Sequence, residues 1–200
     1  MPELRHQTVV IVAGAPGVGK STVASGVAHA LGATPIDIDA VFEPIVPLLA
    51  GQPRELVRTA IYESLVAIAE ASLSTGSHVV VSAPFTTERR DSLAWDRLST
   101  RLSSGGGRVV LVWLYAPPES VLERLAARGA SRDSEKLADP ASWLREAEPE
   151  ASPTVPHIAV DATRTPEHTA EQVLRELIER DRVAPTHGLS SSSEACSFSA

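Results

Sequence analysis

Apolar positions along this chain fall into two alternating rhythms. Unbroken runs of apolar, largely β-branched residues at Thr8–Ala13, His78–Ala83 and Arg108–Tyr115 have strand length and read as strands buried on both faces. Two shorter runs, Thr34–Asp39 and His157–Asp161, complete five predicted strands. Between them the spacing is helical: Val23, Val27 and Leu31; then Leu56, Val57, Ala60, Ile61, Leu65 and Ile68 within Arg54–Leu73. Further helices are predicted from about Glu88 to Leu102, through Val121, Leu122, Leu125 and Ala126, and from Pro166 through Val173, Leu174, Leu177 and Ile178. Prolines 44, 47 and 53 with Gly51 turn the apolar stretch after Val41 into a loop with room for one short helical turn. Periodicity fades between Gly129 and Pro156, and residues 185–200 are Ser-rich and aperiodic, predicting a disordered tail. Strands alternating with helices predict an α/β fold of three layers, a five-stranded parallel sheet with helices on both faces, over residues 1–184.

Composition narrows the classes of partner. A net charge of -7 in 200 residues gives no general basic field for a nucleic-acid backbone, so a polynucleotide partner is not expected. No apolar run reaches membrane-spanning length and the opening residues Met1–His6 are no signal peptide, so the expectation is a cytoplasmic protein without a membrane partner. The single cysteine, Cys196, rules out an intrachain disulfide and a cysteine metal site within this sequence. Of 18 basic residues only Lys20 and Lys136 are lysine. Where arginine otherwise serves, a retained lysine points to a need for a compact ammonium.

Lys20 lies in the densest chemical signal of the chain. Gly14-Ala15-Pro16-Gly17-Val18-Gly19-Lys20-Ser21 fits G-x-x-x-x-G-K-[ST] and sits between a predicted strand and a predicted helix. Such glycines let backbone N–H groups turn inward around phosphate oxygens, and the helix N-terminus, continuing through Thr22, adds its positive dipole end. Lys20 is expected to reach the β- and γ-phosphates and the Ser21 hydroxyl to sit on Mg²⁺, making ATP and Mg²⁺ the expected cofactors. In a parallel sheet, ligands gather beyond the carboxyl ends of the strands, here Gly14, Asp37/Asp39, Ser82 and Asp161.

With Gly14–Ser21, the Asp37-Ile38-Asp39 pair and the arginine-rich stretch Arg124–Lys136, the chain resembles the small-molecule kinases of the P-loop NTPase fold over roughly Thr8 to Arg180. That group includes adenylate, shikimate and gluconate kinases and chloramphenicol phosphotransferase-like enzymes. The resemblance implies that Asp37 orients the metal and that Asp39 binds or deprotonates the acceptor hydroxyl. It implies a small lid at about residues 128–153, with Arg128 and Arg132 (and Lys136) closing on the transferring phosphoryl group and Arg124 near the nucleotide. It places the loop Asp161–Pro166, with Arg164, against adenine. One position departs from the pattern: where many P-loop proteins end the third strand in a metal-binding aspartate, this chain reads Ser82-Ala83-Pro84-Phe85.

Candidates for the acceptor side are Phe42, Arg54, Arg58, Ser82, Phe85, Thr86, Arg89 and Arg90. Arg54 and Arg58 stand four apart on one helix face and could clamp an anion, or pair with Glu55 or Glu63 on the surface. The expected activity is transfer of the ATP γ-phosphate to a hydroxyl of a small metabolite or antibiotic. A nucleotide or nucleoside kinase, a nucleotide-dependent switch protein without an acceptor, and a toxin-like or polynucleotide kinase all stay open, as does a homodimer.

Overall fold

The apolar run from Thr8 to Gly14 forms β1, with all seven residues buried, at the centre of a five-stranded sheet. The other strands are β2 (Thr34–Asp37), β3 (Val79–Ser82), β4 (Arg108–Tyr115) and β5 (Ile158–Asp161), in spatial order β2-β3-β1-β4-β5 and all parallel. The computed structural model describes residues 4–104 and 107–183, so the Ser-rich segment and Cys196 lie outside the described residues.

Helices cover both faces, as the alternation requires. Successive residues of a strand point to opposite sides, and β1 divides accordingly. Val10 and Val12 pack with Val23 and Val27 of α1 (Lys20–Leu31), Val121 and Leu125 of α5 (Pro118–Arg128), and Val173 and Leu177 of α8 (Pro166–Val183). Val9, Ile11 and Ala13 face Leu65 and Ala69 of α3 (Arg54–Leu73) and Trp95 and Leu98 of α4 (Ser92–Ser103). On the first face α1 and α8 approach closely: a Cβ at Gly26 would stand 3.2 Å from the Cβ of Ala170.

Two predicted boundaries shift, each because a side chain caps a helix. The second strand ends at Asp37, not Asp39, because the Asp37 carboxylate accepts from the N–H groups of Asp39 and Ala40 (3.0 and 3.1 Å) and starts α2 (Ile38–Phe42). The helix expected from Glu88 begins at Ser92, capped by Asp91 through the N–H groups of Leu93 and Ala94. Where periodicity faded, the chain folds into a 3₁₀ turn (Ser131–Asp133) and two short helices, α6 (Ser134–Ala138) and α7 (Pro140–Ala147). Segments this short carry too few turns for an apolar stripe to show in sequence.

From β1 the chain runs outward to β2 and back to β3; from β4 it runs the other way to β5. Neighbouring β1 and β4 thus send their connections in opposite directions, which opens a crevice at their carboxyl ends.

Candidate functional site

That crevice is a cleft of about 690 Å³ into which the phosphate-loop sequence opens. Gly14, paired in register with Leu114, lies under the loop, and a Cβ there would meet the Leu114 carbonyl oxygen at 2.5 Å. Only glycine lets the two strands stay paired while the chain turns away. Gly19 caps α1 at φ +105, and a Cβ there would meet nothing within 4 Å. Open space above a left-handed cap at a helix N-terminus fits a phosphate group.

Pro16 through Thr22, Arg124 and Arg164 line the cleft, while Gly14 and Ala15 are buried beneath it. Lys20 folds back, its Nζ donating to the Ala15 carbonyl at 3.0 Å. Loss of hydration beneath the loop lowers its pKa from 10.5 to about 8; Asp39 and Asp37 oppose the shift, and Arg128 and Lys136 assist it. Arg124 is held by the carbonyls of Val18 and Ala162 (3.1 and 2.7 Å), tying α5 to the phosphate loop and to the end of β5.

Asp37 and Ser82 terminate β2 and β3 as register partners and line the same cleft. Asp37 Oδ1 caps α2, whereas Asp37 Oδ2 and the Ser82 hydroxyl are buried and without hydrogen-bond partners. Burial would raise the Asp37 pKa, but the nearby hydroxyls of Ser21 and Ser82 and the N–H groups of Ala40 and Asp39 hold it below the ordinary carboxylate value. A buried carboxylate oxygen and a buried hydroxyl, neither meeting a partner at hydrogen-bond geometry, suit a hydrated divalent cation. The residues present therefore fit Mg²⁺, with Ser21, Asp37 and Ser82 as the oxygen set.

Asp39 lies in the first turn of α2 and meets Arg132 across the cleft mouth, Nη2 to Oδ2 at 3.1 Å; Arg132 Nη1 also donates to Glu43 at 3.0 Å. Arg128 and Lys136 converge on Asp133. Arg128 donates from Nε and Nη2 to Oδ2 (2.9 and 2.6 Å), and Lys136 Nζ to Oδ1 (2.6 Å). The Asp133 side chain is 0% exposed. Burial opposes its ionisation, but Lys136 and Arg128 outweigh that and lower its pKa. Both lysines of the chain thus line this one cleft.

Several acceptor-side expectations land elsewhere. Phe42 and Phe85 are core residues; Phe85, at φ +45, packs edge-on to Tyr62 with ring centroids 5.5 Å apart. Arg54 and Arg58 stay outside the cleft lining, and Arg58 pairs with Glu55 at 3.0 Å on the surface of α3. Thr86 is exposed in the turn before α4. Arg89 is 96% removed from solvent and donates to the carbonyls of Ala151 and Ala147 (2.9 and 3.4 Å), while Arg90 pairs with Glu148 at 2.7 Å. These two arginines hold the chain beyond α7 instead of facing the cleft. Sequence reasoning missed the burial of Asp133 and the part of Glu43. Glu43 stands four residues after Asp39, a spacing that puts both on one helix face.

Residues 9–148 match the AAA domain family, and the chain belongs to it. Its fold is shared with P-loop small-molecule kinases of known structure. It is similar to an unliganded sugar kinase from Janibacter sp. HTCC2649, with 26% identity, TM-score 0.60, and 90% of this chain and 99% of that one covered. It is similar in fold to a gluconokinase from Sinorhizobium meliloti 1021 (22% identity, TM-score 0.59, coverage 89% and 95%). The shikimate kinase of Aquifex aeolicus vf5 is a third such fold (18% identity, TM-score 0.58, coverage 88% and 100%). No curated protein matches this sequence. Among the described residues, no helix is long and apolar enough to cross a membrane.

Proposed function

We propose that this member of the AAA domain family is an ATP- and Mg²⁺-dependent kinase that phosphorylates a hydroxyl of a small molecule. The observation that carries this reading is convergence: Lys20, Ser21, Asp37, Asp39, Arg128 and Arg132, far apart in sequence, line one cleft at the carboxyl ends of parallel strands. Kinase structures at 18 to 26% identity support it through their shared fold.

Phosphoryl transfer asks a protein chiefly for positioning and charge neutralisation. ATP bound here supplies the phosphoryl group, and Mg²⁺ the neutralising charge on its oxygens. Backbone N–H groups of Gly17–Lys20 and the start of α1 hold the phosphates. Lys20 leaves the Ala15 carbonyl for them, regaining a full ammonium beside an anion. Ser21, Asp37 and Ser82 hold the metal, Asp37 standing beside the strand end where an aspartate is missing. Asp39, free of the metal set, orients the acceptor hydroxyl and takes its proton. Arg128, held by Asp133, and Arg132 neutralise charge on the transferring group and exclude water, in a lid proposed to span about 128–153. Arg124 and Arg164 border the nucleotide. Residues 1–184 form the proposed catalytic domain.

The test is ADP release from Mg·ATP by the wild type and Lys20→Ala, across nucleosides, nucleotides, sugars, sugar acids and aminoglycoside or phenicol compounds. Stimulation by one class, lost in the variant, establishes the kinase and its substrate family. Slow hydrolysis indifferent to every compound, with nucleotide binding intact, favours the switch protein instead.

A further inference from the structure

Arg128, Arg132 and Lys136, the lid cations that line the cleft, are each engaged by a carboxylate, but the two engagements differ in kind. Arg128 and Lys136 share Asp133, whose side chain is 0% exposed, and a carboxylate so enclosed cannot exchange its partners for water. Arg132 instead bridges Asp39 and Glu43, whose side chains are 50% and 66% exposed, and is itself 33% exposed. Ion pairs this wet are weak and screened by salt. The lid therefore has a fixed half and a releasable half, and the releasable half rests on the carboxylate that the acceptor needs.

We propose that Glu43 is a positioning residue of the reaction: it holds the Arg132 guanidinium across Asp39 and keeps that carboxylate masked until an anion draws Arg132 away. The inference rests on the roles given above to Asp39 and Arg132. Its geometry follows from α2, which holds Asp39 in its first turn and is C-capped by Glu43 four residues on. One guanidinium spans both, Nη2 to Asp39 at 3.1 Å and Nη1 to Glu43 at 3.0 Å. A polyphosphate entering the cleft offers Arg132 more charge than two half-hydrated carboxylates. Arg132 then moves to the phosphate, and Asp39 is released to the acceptor in the same step. Nucleotide arrival and exposure of the proton acceptor are coupled: without nucleotide, Asp39 stays masked.

The experiment uses the full chain with Glu43→Gln and Glu43→Lys. Affinity for Mg·AMP-PNP is read by calorimetry, and ADP release from Mg·ATP is read without any acceptor. A loosened latch makes the nucleotide-competent state commoner, so affinity should tighten about two- to five-fold in Glu43→Gln, more in Glu43→Lys, with acceptor-independent release at subsaturating Mg·ATP rising in parallel. High salt should narrow the gap between wild type and variants, because it screens the same latch. Unchanged or weaker nucleotide binding overturns the proposal, as does tighter binding with no rise in hydrolysis. Lys20→Ala, measured alongside, separates the two levels: nucleotide binding by that variant equal to wild type would sink the reading of the site itself, whatever Glu43 does.

Discussion

Asp37 and Ser82 end neighbouring parallel strands as register partners, and each leaves one buried oxygen without a hydrogen-bond partner. Buried polar atoms are ordinarily satisfied, so these two adjacent orphans beside the phosphate-loop sequence are the basis for the proposed Mg²⁺ site. Asp37→Asn should weaken Mg·ATP about ten-fold while leaving magnesium-free ATP within about two-fold, as expected for a group acting through the metal. Equal weakening of both forms would make Asp37 a cap of α2 and nothing more.

The buried ammonium of Lys20 predicts a proton linkage. In the nucleotide-free protein it titrates at about 8 instead of 10.5. Phosphate contact restores the charged form, so between those values the complex holds more protons than the free protein. Nucleotide binding should then take up protons and weaken as pH rises above about 8, readable by calorimetry in two buffers of different ionisation heat. The unfolded chain also binds the extra proton in that window, so the free protein should gain stability from Lys20 as pH rises through it. Lys20→Met should abolish the uptake.

Asp39→Asn should lower phosphoryl transfer at least about 100-fold, the usual scale for a lost general base, without weakening Mg·ATP binding. Comparable losses in both would recast Asp39 as a binding or folding residue.

Asp133→Ala removes the one group that holds Arg128 and Lys136 together. Those cations are partly solvated, which discounts the cost of a broken buried pair to about 1–2 kcal/mol in denaturant unfolding. Because its carboxyl is held below the ordinary 3.8, the wild-type contribution is whole above that value and fades as acid reaches the lowered one. A variant with wild-type stability and wild-type nucleotide affinity would show that Asp133 organises nothing.

Arg89→Met should expose the strap between α7 and β5. The Ala147 and Ala151 carbonyls lose their donor, at about 1 kcal/mol for a typical hydrogen bond. Limited proteolysis should cut first within 147–154; an unchanged digestion pattern would remove Arg89 from that role.

Strands and long helices were legible because burial on a regular lattice writes itself as period: β4 and α3 run over the predicted residues Arg108–Tyr115 and Arg54–Leu73. The phosphate loop was legible because its backbone tolerates few substitutes. Asp39 was read onto a strand because a β-like run preceded it; Asp37 capping α2 outweighed that local preference. Arg58 and Arg89 show the other limit. Both are arginines in segments that follow a strand, yet one pairs with a neighbour on its own helix and the other is buried against carbonyls 58 and 62 residues away. No spacing rule separates those fates, which depend on what the fold brings alongside. Ser21 was singled out by motif and Asp37 by resemblance, whereas the pairing of Ser82 with Asp37 emerges only once β2 and β3 align.

The confinement of both lysines to one cleft gives this chain an unusual chemical selectivity. An acylating reagent that discriminates by amine basicity meets sixteen inert guanidiniums, a salt-bridged Lys136, and Lys20, which is substantially uncharged in mildly alkaline solution. Side-chain amide formation would then concentrate at the phosphate loop without engineering, and occupancy of that loop could be followed by mass alone.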